Sequence, residues 1–290
     1  MKKIRIFIAA IIIGVISIFY STSAKDIRID NSKKIIEDIN YITENKLDSS
    51  VKRVSEYKDV IYDIELEEFE SNDLVIDYDT NGNLIMIVDK NKKDEIIKKN
   101  EESAIKAKGE LNNLSNDKNI KLKEKAVEIS KLFNNVKDEK KLNESTTFIE
   151  ESKIMDGTIA FKWARTENGY KYNDDFIMVI MDPLDGTLVI ANKMYKSNSP
   201  TNNVKINEDK AIEIASLELK DKNKIDTSKI IKTELKIINP NYYWTNLILN
   251  STDSKLAYEV TFSKQSPYEG EASIWIDAED GTNLGGQQTK

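Results

Sequence analysis

Along the C-terminal third of the chain, Leu256, Tyr258, Val260 and Phe262 alternate with Ala257, Glu259 and Thr261. This two-residue period predicts a half-buried strand with Glu259 and Thr261 on the outer face. A second strand follows from Ala272 to Asp277, and it runs into Asp280-Gly281, a dipeptide suited to a tight antiparallel turn. Upstream, Asn207 is placed to cap a helix in which Ile212, Ala215 and Leu219 share one face. The pattern is one helix followed by a small antiparallel sheet.

The motifs Ala211-Ile-Glu-Ile-Ala215 and Ile276-Asp-Ala-Glu-Asp-Gly-Thr-Asn-Leu-Gly285 resemble the helix core and the strand signature of the PepSY domain over residues 204–286. The resemblance implies an α+β fold of tandem PepSY-like modules, each a helix packed on a small antiparallel β-sheet. It implies no catalytic chemistry.

Both motifs recur upstream. Lys125-Ala-Val-Glu-Ile-Ser-Lys-Leu132 lies 85 residues before Lys210-Ala-Ile-Glu-Ile-Ala-Ser-Leu217, and Asp182-Pro-Leu-Asp-Gly-Thr187 lies 95 residues before Asp277-Ala-Glu-Asp-Gly-Thr282. Between the upstream pair, Ile159, Phe161 and Trp163 alternate with Ala160, Lys162 and Ala164, while Phe176 to Met181 is apolar on both faces and predicts a central, covered strand. The run from Trp163 to Tyr170 and from Phe176 to Asp182 is similar to the YcdB/YcdC repeat, a PepSY relative of exported Gram-positive proteins.

A third, divergent copy is expected near the start. A helix is predicted from Ser32 to Asn45 with Ile35, Ile39 and Ile42 inward, then a strand through Val60, Tyr62, Ile64 and Leu66. A hairpin of Leu74–Asp77 and Leu84–Val88 turns at Asn81-Gly82, its turn one residue longer than in the other copies when counted from Asp77. The charged stretch from Lys90 to Asn116 reads as a solvated, rigid connecting helix with Ile97, Ala104, Ile105 and Leu111 as its stripe, and Ser197–Asn203 as a flexible joint. The expected division is 1–24 signal peptide, 25–116 divergent module plus charged helix, 117–198 YcdB/PepSY-like module, 199–206 linker and 207–290 PepSY-like module.

Residues 1–24 set the expected location. Lys2, Lys3 and Arg5 precede an apolar run from Ile6 to Tyr20, and Thr22 and Ala24 supply the small residues of a cleavable secretory signal. The run is shorter than the ~20 apolar residues of a comfortable membrane span. Cleavage would take the net charge from −7 to about −10, since three basic and no acidic residues leave. That balance opposes nucleic-acid binding and adhesion to anionic lipid. With no cysteine, stability must come from packed cores.

The chain contains no histidine and no cysteine, which excludes Ser-His-Asp and Cys-His nucleophilic sites and histidine-based zinc sites. Paired acids remain: Asp182 with Asp185, and Asp277 with Asp280. They read either as metal ligands or an acid/base pair, or as turn residues in which the first Asp accepts backbone N–H bonds and the second supplies the turn conformation. Asp77-Tyr-Asp-Thr-Asn-Gly-Asn83 opens like a calcium loop, but position 12 is Val88 where a bidentate Glu is needed. Ser49-x-x-Lys52 and Ser115-x-x-Lys118 match a Ser-Lys pattern in polar segments of a lysine-rich chain. No cofactor or metal is expected. In Pro240-Asn-Tyr-Tyr-Trp244, on an expected strand, Tyr242 and Trp244 read as core and Tyr243 as a possible partner contact.

The PepSY resemblance implies a secreted, non-catalytic protein that binds an extracellular peptidase or another envelope protein, because the family occurs in propeptides of thermolysin-type secreted metallopeptidases. A structural component of the envelope or spore surface is the alternative. A glycan hydrolase using Asp277 with Glu279 or Asp280 is disfavoured, because such carboxyls must flank a cleft ~5–9 Å apart. An open sheet edge in each module would favour strand capture of a partner, and a covered edge a passive role.

Overall fold

In a computed structural model, the described residues are 33–43, 51–59, 64–102, 116–152, 157–195, 199–200, 203–222, 227–241, 253–264 and 270–288. The expected signal peptide lies outside them. Among the described residues no helix is long and apolar enough to cross a membrane.

The fold is α+β. Helix α1 (Lys33–Ile42) precedes strands β1 (Lys52–Asp59), β2 (Ile64–Glu70), β3 (Leu74–Asp79) and β4 (Leu84–Asp89). Helices α2 (Lys90–Glu102), α3 (Asn116–Phe133) and α4 (Glu139–Ser145) lead to β5 (Thr146–Ser152), β6 (Ile159–Glu167), β7 (Tyr170–Met181) and β8 (Leu188–Met194). Helix α5 (Glu208–Leu217) continues as a π-helical turn, and β9 (Thr227–Ile238), β10 (Lys255–Lys264), β11 (Glu271–Asp277) and β12 (Asn283–Gln288) complete the chain.

These strands do not form separate small sheets. β4 and β8 pair antiparallel with Ile87 opposite Ala191, so the first eight strands make one continuous sheet in the order β1-β2-β3-β4-β8-β7-β6-β5. β7 then carries the connection to the last four strands. Its second half pairs with β8 from Phe176 to Met181, and its first half extends beyond β8 to meet β9 in parallel at Tyr172 and Ile237. Among the described residues, twelve strands therefore share one hydrogen-bonded sheet, all antiparallel except at that crossing.

Helical spacing decides which faces are covered. Leu122, Ala126, Ile129 and Phe133 recur along one side of α3 and pack with Ile39 and Ile42 of α1 and Leu142 of α4 against Ile87, Trp163 and Ile177 of the sheet. On the opposite face, Ile96 of α2 meets Ala160, Ile180 and Val189. The connecting segment is thus part of the core on this side, and it is Ile96, one position before the expected Ile97, that turns inward. Both faces of β7 are covered, as its two-sided apolar run requires.

Asn207 accepts a hydrogen bond from the Lys210 amide and starts α5. The buried stripe is Ala211, Ala215 and Leu219, with Ile212 only half-buried beside it. Tyr172 of β7 is buried in this same cluster, so the C-terminal core is completed from outside its own strands. β10 also departs from the half-buried pattern. Ala257, Glu259 and Thr261 are buried because Ile238, Trp275 and Leu284 form a second apolar cluster on that face. Glu259 meets Lys236 there, and Gln287 Nε2 donates to its Oε1 at 3.1 Å.

Strands β1, β5 and β9 had no counterpart in the sequence pattern. The expected strand at Pro240–Trp244 is not β9, which ends at Ile238. Residues 242–244 lie outside the described residues, and with them Tyr243.

Candidate interaction surface

The paired acids organise turns. In the β7–β8 turn, Asp182 Oδ1 accepts the Leu184 amide and Asp185 Oδ1 accepts the Thr187 amide, each at 2.8 Å. The β11–β12 turn repeats this, with Asp277 accepting from Glu279 and Asp280 from Thr282, again at 2.8 Å. The positive backbone angle belongs to the glycine that follows, φ 76° at Gly186 and 79° at Gly281, so Asp185 and Asp280 anchor the turn without supplying its conformation. Asp277 and its neighbours sit on one turn. Glu279 reaches away to Lys205 Nζ at 2.7 Å.

The β7–β8 turn is also held from the helices. Lys92 of α2 places Nζ 2.7 Å from both Asp182 Oδ2 and Asp185 Oδ2, while Lys118 and Lys125 of α3 donate to the carbonyls of Leu184 and Gly186 at 2.7 and 2.8 Å. Burial pushes the Asp185 carboxyl up, but the bonds from Lys92 and Thr187 outweigh it and bring its pKa to about 2. Lys92 was not legible as a partner, since it lies 93 residues from Asp185. Lys118 of the second Ser-Lys match is therefore bound to a turn, and Ser49 and Ser115 lie outside the described residues.

The first hairpin differs from its sequence reading. Asp79 is the turn residue: its Oδ1 accepts the amides of Asn81 and Asn83, and its Oδ2 the Asn83 side chain. Counted from Asp79, this turn is one residue shorter than the other two, not longer. Asp77 points to the face opposite α1 and α3, where Tyr57 Oη donates to its Oδ2 at 2.7 Å. The oxygens of the calcium-like sequence are thus split between a turn and a buried strand position. Among the described residues no group of three acids could hold a metal.

The sheet edges β1, β5 and β12, together with the part of β9 away from its single pairing with β7, form the remaining candidate surface, and each is modified. β1 and β5 each carry one register shift against the neighbouring strand and β9 carries two, with Val54 the extra residue in β1, Ile149 in β5 and Ile231 at one of the two shifts of β9. All three are exposed, at 46%, 40% and 46%. A bulge with flanking charge twists an edge away from further pairing, and Lys52, Lys58, Glu150, Glu151, Lys229 and Lys232 supply the charge. β12 is treated differently. Asn241 donates its amide to Leu284 O at 3.0 Å, its Oδ1 accepts the Gly286 amide at 3.0 Å, and its Nδ2 donates to Gly286 O at 2.8 Å.

Comparison with known proteins agrees with the motifs. Residues 205–286 match the family model described as peptidase propeptide and YPEB domain, PepSY. A solved structure, the Bacillus megaterium YpeB C-terminal domain, is similar at a TM-score of 0.46 and 15% identity, covering 89% of this chain and 98% of that one. No curated protein matches the chain.

Proposed function

We propose that this chain is an exported, non-catalytic binding protein that regulates or restrains an extracellular peptidase, or holds another envelope protein. The carrying observation is the PepSY match over residues 205–286, whose family description names peptidase propeptides. The engagement of Asp182, Asp185, Asp277 and Asp280 in turn hydrogen bonds agrees with it, because acids committed to backbone amides are poorly placed for acid/base work.

On this reading the chain is three related modules. Three similar Asp-to-Gly turns before β4, β8 and β12, and three bulged first strands, support the repeat. The bulges discourage strand capture, so contact would run through side chains, with exposed Val54, Ile149 and Ile231 as apolar anchors on a charged surround. Tyr243 stays a proposed contact on its aromatic character alone.

The guarded edges equally favour the second reading, a passive component of the envelope or spore surface. Titrating residues 25–290 into a thermolysin-type exported peptidase while following peptide cleavage separates the two. Saturable slowing without digestion of the added chain supports regulation. Unchanged cleavage, or digestion of the chain as a substrate, removes that peptidase as a partner and favours the passive role.

A further inference from the structure

The chain holds two Asn-Gly dipeptides, Asn81-Gly82 and Asn168-Gly169, both exposed at hairpin turns. The dipeptide is chemically labile, because the glycine nitrogen can attack the asparagine side chain and no Cβ stands in its way. At the β3–β4 turn two bonds oppose the attack. The Asn81 amide donates to Asp79 Oδ1 at 2.9 Å, and the nitrogen that would attack, Gly82 N, donates to Asp79 O at 2.9 Å. That turn also closes a hairpin flanked by a further strand, with Asp79 opposite Leu66 of β2.

The β6–β7 turn has no such hold. Asn168 and Gly169 make up the whole turn between the ladder partners Glu167 and Tyr170, at φ 52° and 84°. Among the described residues no turn bond engages the Gly169 nitrogen. A Cβ built on Gly169 would meet nothing within 4 Å, so the side chain has room to close on the backbone. Beyond the register shift that follows Ala164 the hairpin is held by the pairs Thr166–Lys171 and Glu167–Tyr170, and β5 begins opposite Arg165, so the tip overhangs its neighbour. Opening such a tip costs little.

We propose that Asn168 is a spontaneous deamidation site, and that its conversion loosens the attachment of the last four strands. Gly169 N gives its proton to solvent and bonds to Asn168 Cγ, the Cγ–Nδ2 bond breaks, and ammonia leaves. Water then opens the cyclic imide at either carbonyl, leaving an aspartate or an isoaspartate at position 168, with nothing oxidised or reduced. Either product sets a carboxylate beside Glu167, whose Oε2 accepts from Tyr172 Oη at 2.7 Å and from Ser199 Oγ and Arg165 Nη2, each at 3.1 Å. The isoaspartate also lengthens the backbone of a turn built for two residues. Tyr172 is where β7 meets β9 at Ile237, so a disturbance of the tip reaches the crossing through Glu167.

The test is peptide mapping by mass spectrometry of the full chain aged in mildly alkaline buffer, folded and in urea. In urea, Asn81 and Asn168 are expected to convert at similar rates. In the folded chain Asn168 is expected to convert at least about tenfold faster than Asn81, the factor that the bonds holding Asn81 and Gly82 supply. Calorimetry of the aged chain should then show a new, lower transition. Aged Asn168→Gly, which keeps the positive φ and has no side chain to cyclise, should unfold as fresh wild type does. A folded chain in which Asn168 stays intact, or converts no faster than Asn81, would overturn the assignment of the site. A converted chain that unfolds as the fresh one does would overturn its link to the crossing.

Discussion

Tyr57 Oη lies 2.7 Å from Asp77 Oδ2, a bond that reaches from β1 to β3 across the intervening β2. Asp77 is 1% exposed, and its other oxygen is buried without a hydrogen-bond partner. Burial pushes its pKa up to about 7, with the Tyr57 bond pulling down and Glu68 and Asp59 adding to the rise. The folded chain thus holds a proton on Asp77 more tightly than the unfolded chain does.

The sign of the resulting pH dependence follows. A folded pKa above the ordinary 3.8 contributes stability that is complete below about pH 4 and lost as the pH rises through about 7. Urea midpoints at either end of this window are expected to fall with rising pH, by the equivalent of about 2–4 kcal/mol, and to flatten in Asp77→Asn. A wild-type slope unchanged in the variant would assign the dependence elsewhere.

Lys92 works in the opposite pH range. It is 9% exposed and bridges Asp182 and Asp185, so Lys92→Met leaves two carboxylates facing each other at the turn. A loss of ~2–4 kcal/mol in unfolding free energy is expected, below the full cost of breaking a buried pair because Asp185 is half exposed. Since the Asp185 pKa is depressed to about 2, its share is present above about pH 4 and disappears as the pH falls toward 2.

Tyr172 ties the two parts of the sheet together, buried in the α5 cluster while its hydroxyl donates to Glu167 at 2.7 Å. Lys171 and Glu234, 3.6 Å apart, make a second link across β7 and β9. Tyr172→Ala is expected to cost ~3 kcal/mol in core packing. Calorimetry should show one unfolding transition separate into two, the lower belonging to the C-terminal strands.

The exposed bulge residues should separate binding from stability. Val54→Ser, Ile149→Ser and Ile231→Ser are each expected to change stability by less than about 0.5 kcal/mol, as for exposed positions. In the triple variant, affinity for a partner that uses the apolar anchors should drop while thermal unfolding stays in place.

The sequence made the local elements readable where burial follows one period. The α3 stripe, the alternation in β6 and the Asp-to-Gly turns all belong to that class. What it hid was set by partners distant in the chain. Glu259 looked outward because Lys236, Trp275 and Gln287, which bury it, cannot be seen from an alternating strand. β1 was invisible because Lys-Arg-Val-Ser-Glu-Tyr-Lys-Asp carries edge-strand charges and no apolar face, and Asp77 was assigned to a turn that Asp79 makes. The merging of sheets depends on Ile87 meeting Ala191, which no local pattern states. At the candidate surface, the acids were legible as turn residues, but Lys92 and Asn241 were not.

The central claim is that the chain acts by binding. Its most direct test is sedimentation of residues 25–290 with a thermolysin-type peptidase whose general-base glutamate has been substituted, so that a complex can form without digestion. The account predicts a saturable complex of fixed stoichiometry that weakens in the Val54, Ile149 and Ile231 triple variant. Independent sedimentation of the two proteins at every ratio would contradict it for that partner.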